Sequence, residues 1–240
     1  MTCLYILIIS LQHCMSTDML SKDSPISLTQ TLVSSNQVYE LGFFIPGNST
    51  NRYLGIYMVQ KHRCKEIYMV ANRENPLSVS DNRTSLIIAD DGNLRIQDGD
   101  QNTIWLTKVR SEFNGTIAQL IDVGDFCTND TITGSILWES FDYPGNSLLP
   151  GMKLETKGNP QGKHLLSSWK SDDDPTPGNF VVGLSAEQPP QYSHGVILSQ
   201  TGEVGPGMDG SSQVYRSRML GTHLSCQGSY KKERISVLTF

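Results

Sequence analysis

The chain has 240 residues, a formal net charge of −5 and 38% hydrophobic residues, enough for one large β domain or two smaller ones. With 18% charged residues of mixed sign, it lacks the basic field that attracts nucleic-acid phosphates. The 21 glycines and 11 prolines punctuate short β-prone runs, and no window carries a long 3.6-residue apolar period. The expected fold class is all-β.

At the N-terminus, Leu4 to Leu11 is apolar over eight residues and is followed by the small Ser16. Residues 1–17 read as a secretory signal peptide, although no Lys or Arg precedes the apolar run, which suggests a truncated start. A buried N-terminal strand is the alternative. Four sequons agree with secretion: Asn48-Ser-Thr, Asn82-Arg-Thr, Asn114-Gly-Thr and Asn129-Asp-Thr are glycosylation candidates in turn-like contexts. Removal of Cys3 and Cys14 with the signal leaves Cys64, Cys127 and Cys226, an odd number, so one is unpaired or pairs outside the chain. No Cys-x-x-Cys or His/Cys cluster occurs, and neither a metal nor a cofactor is expected.

From Ile26 onward, strands are expected at Leu28–Ser35, Val38–Phe44, Arg52–Val59 and Ile67–Arg73. Ser85 to Asp98 is the clearest hairpin. Asp91-Gly92 suits a tight two-residue turn with φ > 0 at both positions. Beyond the turn, Leu94 and Ile96 share one face, and Asn93, Arg95 and Gln97 share the other, because side chains alternate along a strand. The first face is core and the second is available. Further strands follow at Thr103–Leu106, Ile117–Asp122 and Ser135–Phe141. A faint repeat is visible: Leu86 to Leu94 followed by Thr103-Ile-Trp-Leu resembles Ala118 to Phe126 followed by Ser135-Ile-Leu-Trp-Glu. Trp105 and Trp138 are therefore expected at equivalent core positions.

Several stretches carry a family resemblance: Glu40-Leu-Gly-Phe-Phe-Ile-Pro-Gly-Asn-Ser, Asn51-Arg-Tyr-Leu-Gly-Ile-Tyr, Val70-Ala-Asn-Arg-Glu-Asn-Pro-Leu, Asp90-Asp-Gly-Asn-Leu and Leu137-Trp-Glu-Ser-Phe-Asp-Tyr-Pro-Gly-Asn-Ser. In this order they resemble the bulb-type, mannose-specific lectin domain of plant S-locus glycoproteins and G-type lectin S-receptor-like kinases. The resemblance covers residues 26–154. Residues 155–166 read as a linker, and 167–240, opening on Ser167-Ser-Trp-Lys-Ser-Asp-Asp-Asp-Pro, as a partial, β-rich S-locus glycoprotein domain. The resemblance implies a β-prism II fold, three antiparallel four-stranded sheets about a pseudo-threefold axis. It also implies an extracellular recognition role, with pollen recognition or defence signalling among the settings. Relatives of this kind continue into a membrane helix and a kinase, before which this chain stops; it has no transmembrane run.

Mannose-binding members carry the pattern Gln-x-Asp-x-Asn-x-Val-x-Tyr on a sheet face. Laid on this chain it falls on Ala89, Asp91, Asn93, Arg95 and Gln97, of which only Asp91 and Asn93 match. Each lost partner for a sugar hydroxyl costs about 1–3 kcal/mol, so the expectation is an eroded mannose site at Asp91, Asn93, Arg95 and Gln97. In the second repeat Val123 stands where the motif Asp would be, among Leu120, Asp122 and Asp125, and that copy is more degraded. Met69 replaces the Trp that usually precedes Val-Ala-Asn-Arg, a change that bears on packing.

Enzyme-like motifs do not hold up. Gly205-Pro-Gly-Met-Asp-Gly follows no strand and opens no helix. His62-Arg-Cys and Asp125-Phe-Cys are out of order and context for a kinase. Asp172-Asp-Asp-Pro lacks calcium-loop spacing. The reading is therefore a secreted, non-enzymatic recognition module with a glycan or a cell-surface or peptide ligand as partner. The alternatives are a structural or dimerisation module without sugar binding, and a nonfunctional fragment of a receptor-kinase gene.

Overall fold

The computed structural model describes residues 17–59, 66–109, 115–153, 166–184, 196–200 and 236–237. Residues 1–16, where a signal peptide is expected, nearly all of the expected linker, Asn114, Cys64, Cys226 and most of the chain after residue 184 lie outside the described residues.

Three short strands open the chain: β1 (Met19–Leu20), β2 (Ile26–Ser27) and β3 (Thr31–Val33). Longer ones follow, β4 (Tyr39–Phe44), β5 (Asn51–Met58), β6 (Glu66–Val70) and the two-residue β7 (Leu77–Ser78). Next come β8 (Ser85–Ile88), β9 (Leu94–Gln97) and β10 (Thr103–Leu106), then β11 (Thr116–Leu120), β12 (Phe126–Asp130) and β13 (Ile136–Glu139). They assemble into three sheets, β3-β4-β5-β6, β2-β8-β9-β10 and β1-β11-β12-β13, with β7 pairing β5 beside the first. All pairings within the three sheets are antiparallel. Each sheet is a three-strand meander plus one short strand from residues 19–33. The opening segment thus visits the three sheets in turn, laying one strand on the first strand of each meander.

The register displays the threefold repetition directly. One row across the first sheet runs Leu32, Leu41, Ile56, Met69. The matching rows run Ile26, Leu86, Ile96, Trp105 and Leu20, Ala118, Thr128, Trp138. All but Trp105, which is half-buried, are buried. Strand alternation places each row on the inward face, and a fully buried aliphatic side chain contributes about 1.5–3 kcal/mol. Met69, Trp105 and Trp138 are therefore three copies of one position, and the expected equivalence of the two tryptophans extends to Met69. The three rows meet in one core, which is the β-prism.

The turns differ from the expectation in one respect. Gly92 has φ of 77° while Asp91 is not in the left-handed region. The Gly92 N–H donates to Ala89 O at 2.9 Å, and the Ala89 N–H donates to Asn93 O at 2.9 Å. The loop is thus a three-residue connection, Asp90 to Gly92, closed by a left-handed glycine, rather than a two-residue turn. Gly124 repeats it, with Gly124 N–H to Ile121 O and Ile121 N–H to Asp125 O, each 2.9 Å.

A short 3₁₀ turn, Ser140–Asp142, follows β13. Beyond it lie β14 (Ser147–Leu148), β15 (Leu166–Ser171), β16 (Asp174–Leu184), β17 (Val196–Gln200) and β18 (Ser236–Val237). β15, β16 and β17 form an antiparallel sheet, and β14 pairs β18 in parallel. The β15–β16 hairpin is fastened to the prism. Arg73 donates from Nε to Pro175 O at 2.6 Å, from one terminal nitrogen to Ser167 Oγ at 2.8 Å, and from the other to Ser168 O at 3.0 Å. Phe44 stacks on Trp169 with centroids 6.3 Å apart. Asp173 accepts from the Asn48 N–H at 3.3 Å.

Candidate functional site

The β8–β9 hairpin places Asp91 and Arg95 on its outer side, and they form an ion pair with each other. Burial works against the charge of Asp91, but the Asn93 N–H, at 3.2 Å from Oδ1, and the Arg95 guanidinium outweigh it and hold the carboxyl below its usual range. Arg95 is folded back toward the turn, and its Nε is buried with no partner among the described residues. Ala89 and Gln97 are half-buried.

Asn93 does not lie on an open face. It is only 6% exposed, and both polar atoms of its amide are engaged. Oδ1 accepts from the Val109 N–H at 2.6 Å and from Thr107 Oγ1 at 3.0 Å, while Nδ2 donates to Val109 O at 3.1 Å. Thr107 Oγ1 in turn accepts from the Leu94 N–H at 3.2 Å. The side chain therefore stands in for a missing strand partner and pins the segment that leaves β10. Asp125, the corresponding residue of the next repeat, does the same after β13: its Oδ1 accepts from Ser140 Oγ at 2.7 Å and from the Phe141 N–H at 3.1 Å. The sequence pattern marked Asn93 as a polar residue on a strand but could not show that its partners lie 14 and 16 positions downstream.

Asp125, Cys127 and Glu139 bring their ligand atoms within 4.8 Å of one another. Burial, together with Asp125, pushes the Cys127 thiol up, and burial with Asp125 and Asp142 raises Glu139. These shifts favour the protonated forms, which are poor cation ligands. Of the sequons, Asn48 and Asn82 are exposed, and Asn129 is half-buried within β12, opposite Ile117 and Ile136, rather than in a turn.

A groove of about 460 Å³ opens where Met69, Trp105 and Trp138 converge. Trp105 and Trp138 meet edge to face at 5.9 Å and 75°, and Tyr143 stacks on Trp138 at 5.8 Å and 19°. Asn75, Thr107 and Lys108 complete its rim. Individually these residues carried no signal beyond the Trp repeat; the cross-strand rows bring them together.

No helix among the described residues is long and apolar enough to cross a membrane. Residues 67–170 match the family model described as D-mannose binding lectin. A G-type lectin S-receptor-like serine/threonine-protein kinase of Arabidopsis thaliana is 42% identical over 172 residues, 72% of this chain and 21% of that protein. Another from the same plant is 38% identical over 198 residues, 82% of this chain and 23% of that protein. The chain thus spans about a fifth of the length of the receptor-like kinases it matches, in their lectin region. A monomeric mannose-binding lectin from Gastrodia elata superposes with a TM-score of 0.38 at 14% identity, over 52% of this chain and 96% of that one; the fold assignment rests on the strand topology instead. The chain carries a bulb-type lectin domain of the family that also supplies the lectin region of the G-type lectin S-receptor-like kinases.

Proposed function

We propose that the chain is an extracellular recognition module of lectin type whose β8–β9 strip has lost mannose binding. The observation that carries this reading is internal satisfaction. Asp91 is paired with Arg95 and both polar atoms of the Asn93 amide are taken up by Thr107 and Val109. A sugar hydroxyl would have to break these contacts, and each broken one costs about 1 kcal/mol before any gain. Ala89 and Gln97 add neither the amide nor the phenol of the mannose pattern. Secretion is supported by the exposed sequons at Asn48 and Asn82 and by the receptor-like relatives. Signalling belongs to a partner or to a kinase on a longer protein, in a pollen-recognition or defence setting.

Isothermal titration of the secreted chain with methyl α-mannoside tests the loss. No saturable heat is expected from the native protein, and Ala89→Gln with Arg95→Val and Gln97→Tyr should restore it. Native binding as tight as that of the restored variant would refute the eroded strip. A second reading, dimerisation, is favoured by the β12–β13 hairpin, where Ile132 and Ile136 are 74% and 60% exposed and form an apolar ridge. Sedimentation of native chain against Ile132→Lys separates the two readings: a dimer lost on substitution supports the ridge, and a monomer throughout rules it out.

A further inference from the structure

We propose that the groove at Met69, Trp105 and Trp138 is itself a sugar site, separate from the β8–β9 strip, that takes one pyranose residue of a glycan. This rests on the lectin reading above and gives it a different location. The volume falls within the range of small-molecule sites, about 300–1,000 Å³. The walls are aromatic. Tyr143 keeps 47% of its surface exposed, and Trp105 is half-buried at the edge of its sheet, so both offer ring surface to the C–H face of a sugar.

The polar groups are the stronger argument. Trp138 is only 7% exposed, and a buried indole N–H normally finds an acceptor. Its N–H has none among the described residues, yet it is not sealed in as the Trp169 N–H is. It therefore faces solvent in the groove it lines. The Trp105 N–H, the Asn75 amide and the Lys108 ammonium are likewise without partners among the described residues. The lining holds donors and one cation but no carboxylate, which suits the acceptor oxygens of hydroxyls and, at Lys108, a sugar carboxylate.

Two departures from regular construction meet here. Met69 occupies the corner where the other two repeats place an indole, and its narrower side chain leaves room between the sheets. Lys108 is held at φ of 55°, a left-handed conformation that a lysine adopts only where the surroundings impose it.

The test uses the full secreted chain, tryptophan fluorescence, and two probes, methyl β-glucoside and methyl α-galacturonoside. At least one should titrate, with a dissociation constant in the millimolar range typical of a single sugar held by few bonds. Asn75→Ala, at an exposed position that does not threaten folding, should weaken that binding about fivefold, the equivalent of one hydrogen bond. Trp105→Phe, which keeps an aromatic face and removes the indole N–H, should do the same. Met69→Trp should fill the corner and abolish it. A preference for the galacturonoside that disappears in Lys108→Ala supports a carboxylate at Lys108, and equal binding of both with sensitivity to Asn75→Ala supports a neutral pyranose. Binding that is lost in Asp91→Asn and untouched by Asn75→Ala would overturn this site and put sugar binding on the β8–β9 strip of a module that is still a lectin. No response to either probe would overturn this site and leave the reading of a lectin-type module without mannose binding standing.

Discussion

Replacing Arg73 by Ala should release the β15–β16 hairpin from the prism. The guanidinium reaches three separate acceptors across the junction, Pro175 O at 2.6 Å, Ser167 Oγ at 2.8 Å and Ser168 O at 3.0 Å, with a fourth, longer contact to Ser167 O at 3.3 Å. Burial pulls its pKa down to about 10, against the pull of Glu74 and Asp174, so it stays charged at neutral pH. At about 1 kcal/mol net for each of the three short bonds, the loss is about 3 kcal/mol, and three carbonyls are left without that donor. Arg73→Lys keeps the charge but not the planar fork, and should lose about 2 kcal/mol. The assay is urea denaturation followed by the fluorescence of Trp169, whose ring stacks on Phe44 across the same junction, with Trp169→Phe identifying its share of the signal. An Arg73→Ala midpoint corresponding to less than about 0.5 kcal/mol, the usual span of surface substitutions, would refute the reasoning and show that the aromatic stack alone holds the hairpin.

Gln101 closes the β9–β10 turn at φ of 67°, where glycine is at ease; Gln101→Gly should stabilise the domain by about 0.5 kcal/mol, the left-handed cost less the added chain entropy, and a lower denaturation midpoint would contradict it. The Asp81 carboxylate accepts from the Arg83 N–H at 2.9 Å, the Gly99 N–H at 2.8 Å and Thr84 Oγ1 at 3.1 Å, and these bonds hold its pKa below the usual carboxylate value. Its stabilisation is therefore present in full above the unfolded pKa of about 3.9 and is lost as pH falls through the folded value. The stability gap between native chain and Asp81→Asn should narrow below about pH 4, and a gap unchanged between about pH 6 and pH 3 would refute the assignment. Cys127 is buried and free, and burial with Asp125 nearby pushes its thiol up. Alkylation of Cys127 by iodoacetamide at neutral pH, read on the peptide that contains it, should be undetectable in the folded chain and rapid in urea; labelling at equal rates would show the site to be open.

Much of the prism was legible because the hydrophobic alternation and the hairpin-plus-Trp repeat are local signals. Leu86, Leu94, Ile96 and Trp105 could be placed from a short stretch. What was not legible depended on distance along the chain. β1 and β2 are two residues long, carry too little periodicity to register, and are strands only because Ala118 and Leu86 wait for them. Asn93 illustrates the same limit: alternation put it on the outer face, whereas backbone groups 16 residues away drew its amide inward. The turn at Asp91-Gly92 was mistaken in type because a left-handed glycine serves both the two-residue and the longer connection. Met69 could be flagged as unusual, but its consequence, a groove at one corner of the core, needed all three rows at once.

The lacing of residues 19–33 across the three sheets fixes the order in which the molecule can be finished. Each meander can pair within itself soon after it is made, but each then presents an uncovered first strand, and such edges recruit other chains. The pairing of Met19 with Gln119 closes a loop of about 100 residues, a slow, entropy-limited step of the kind that delays β proteins. The earliest part of the domain to be synthesised therefore becomes its last fastening, and three sheets lose their protection together if that single segment is cut away at residue 34.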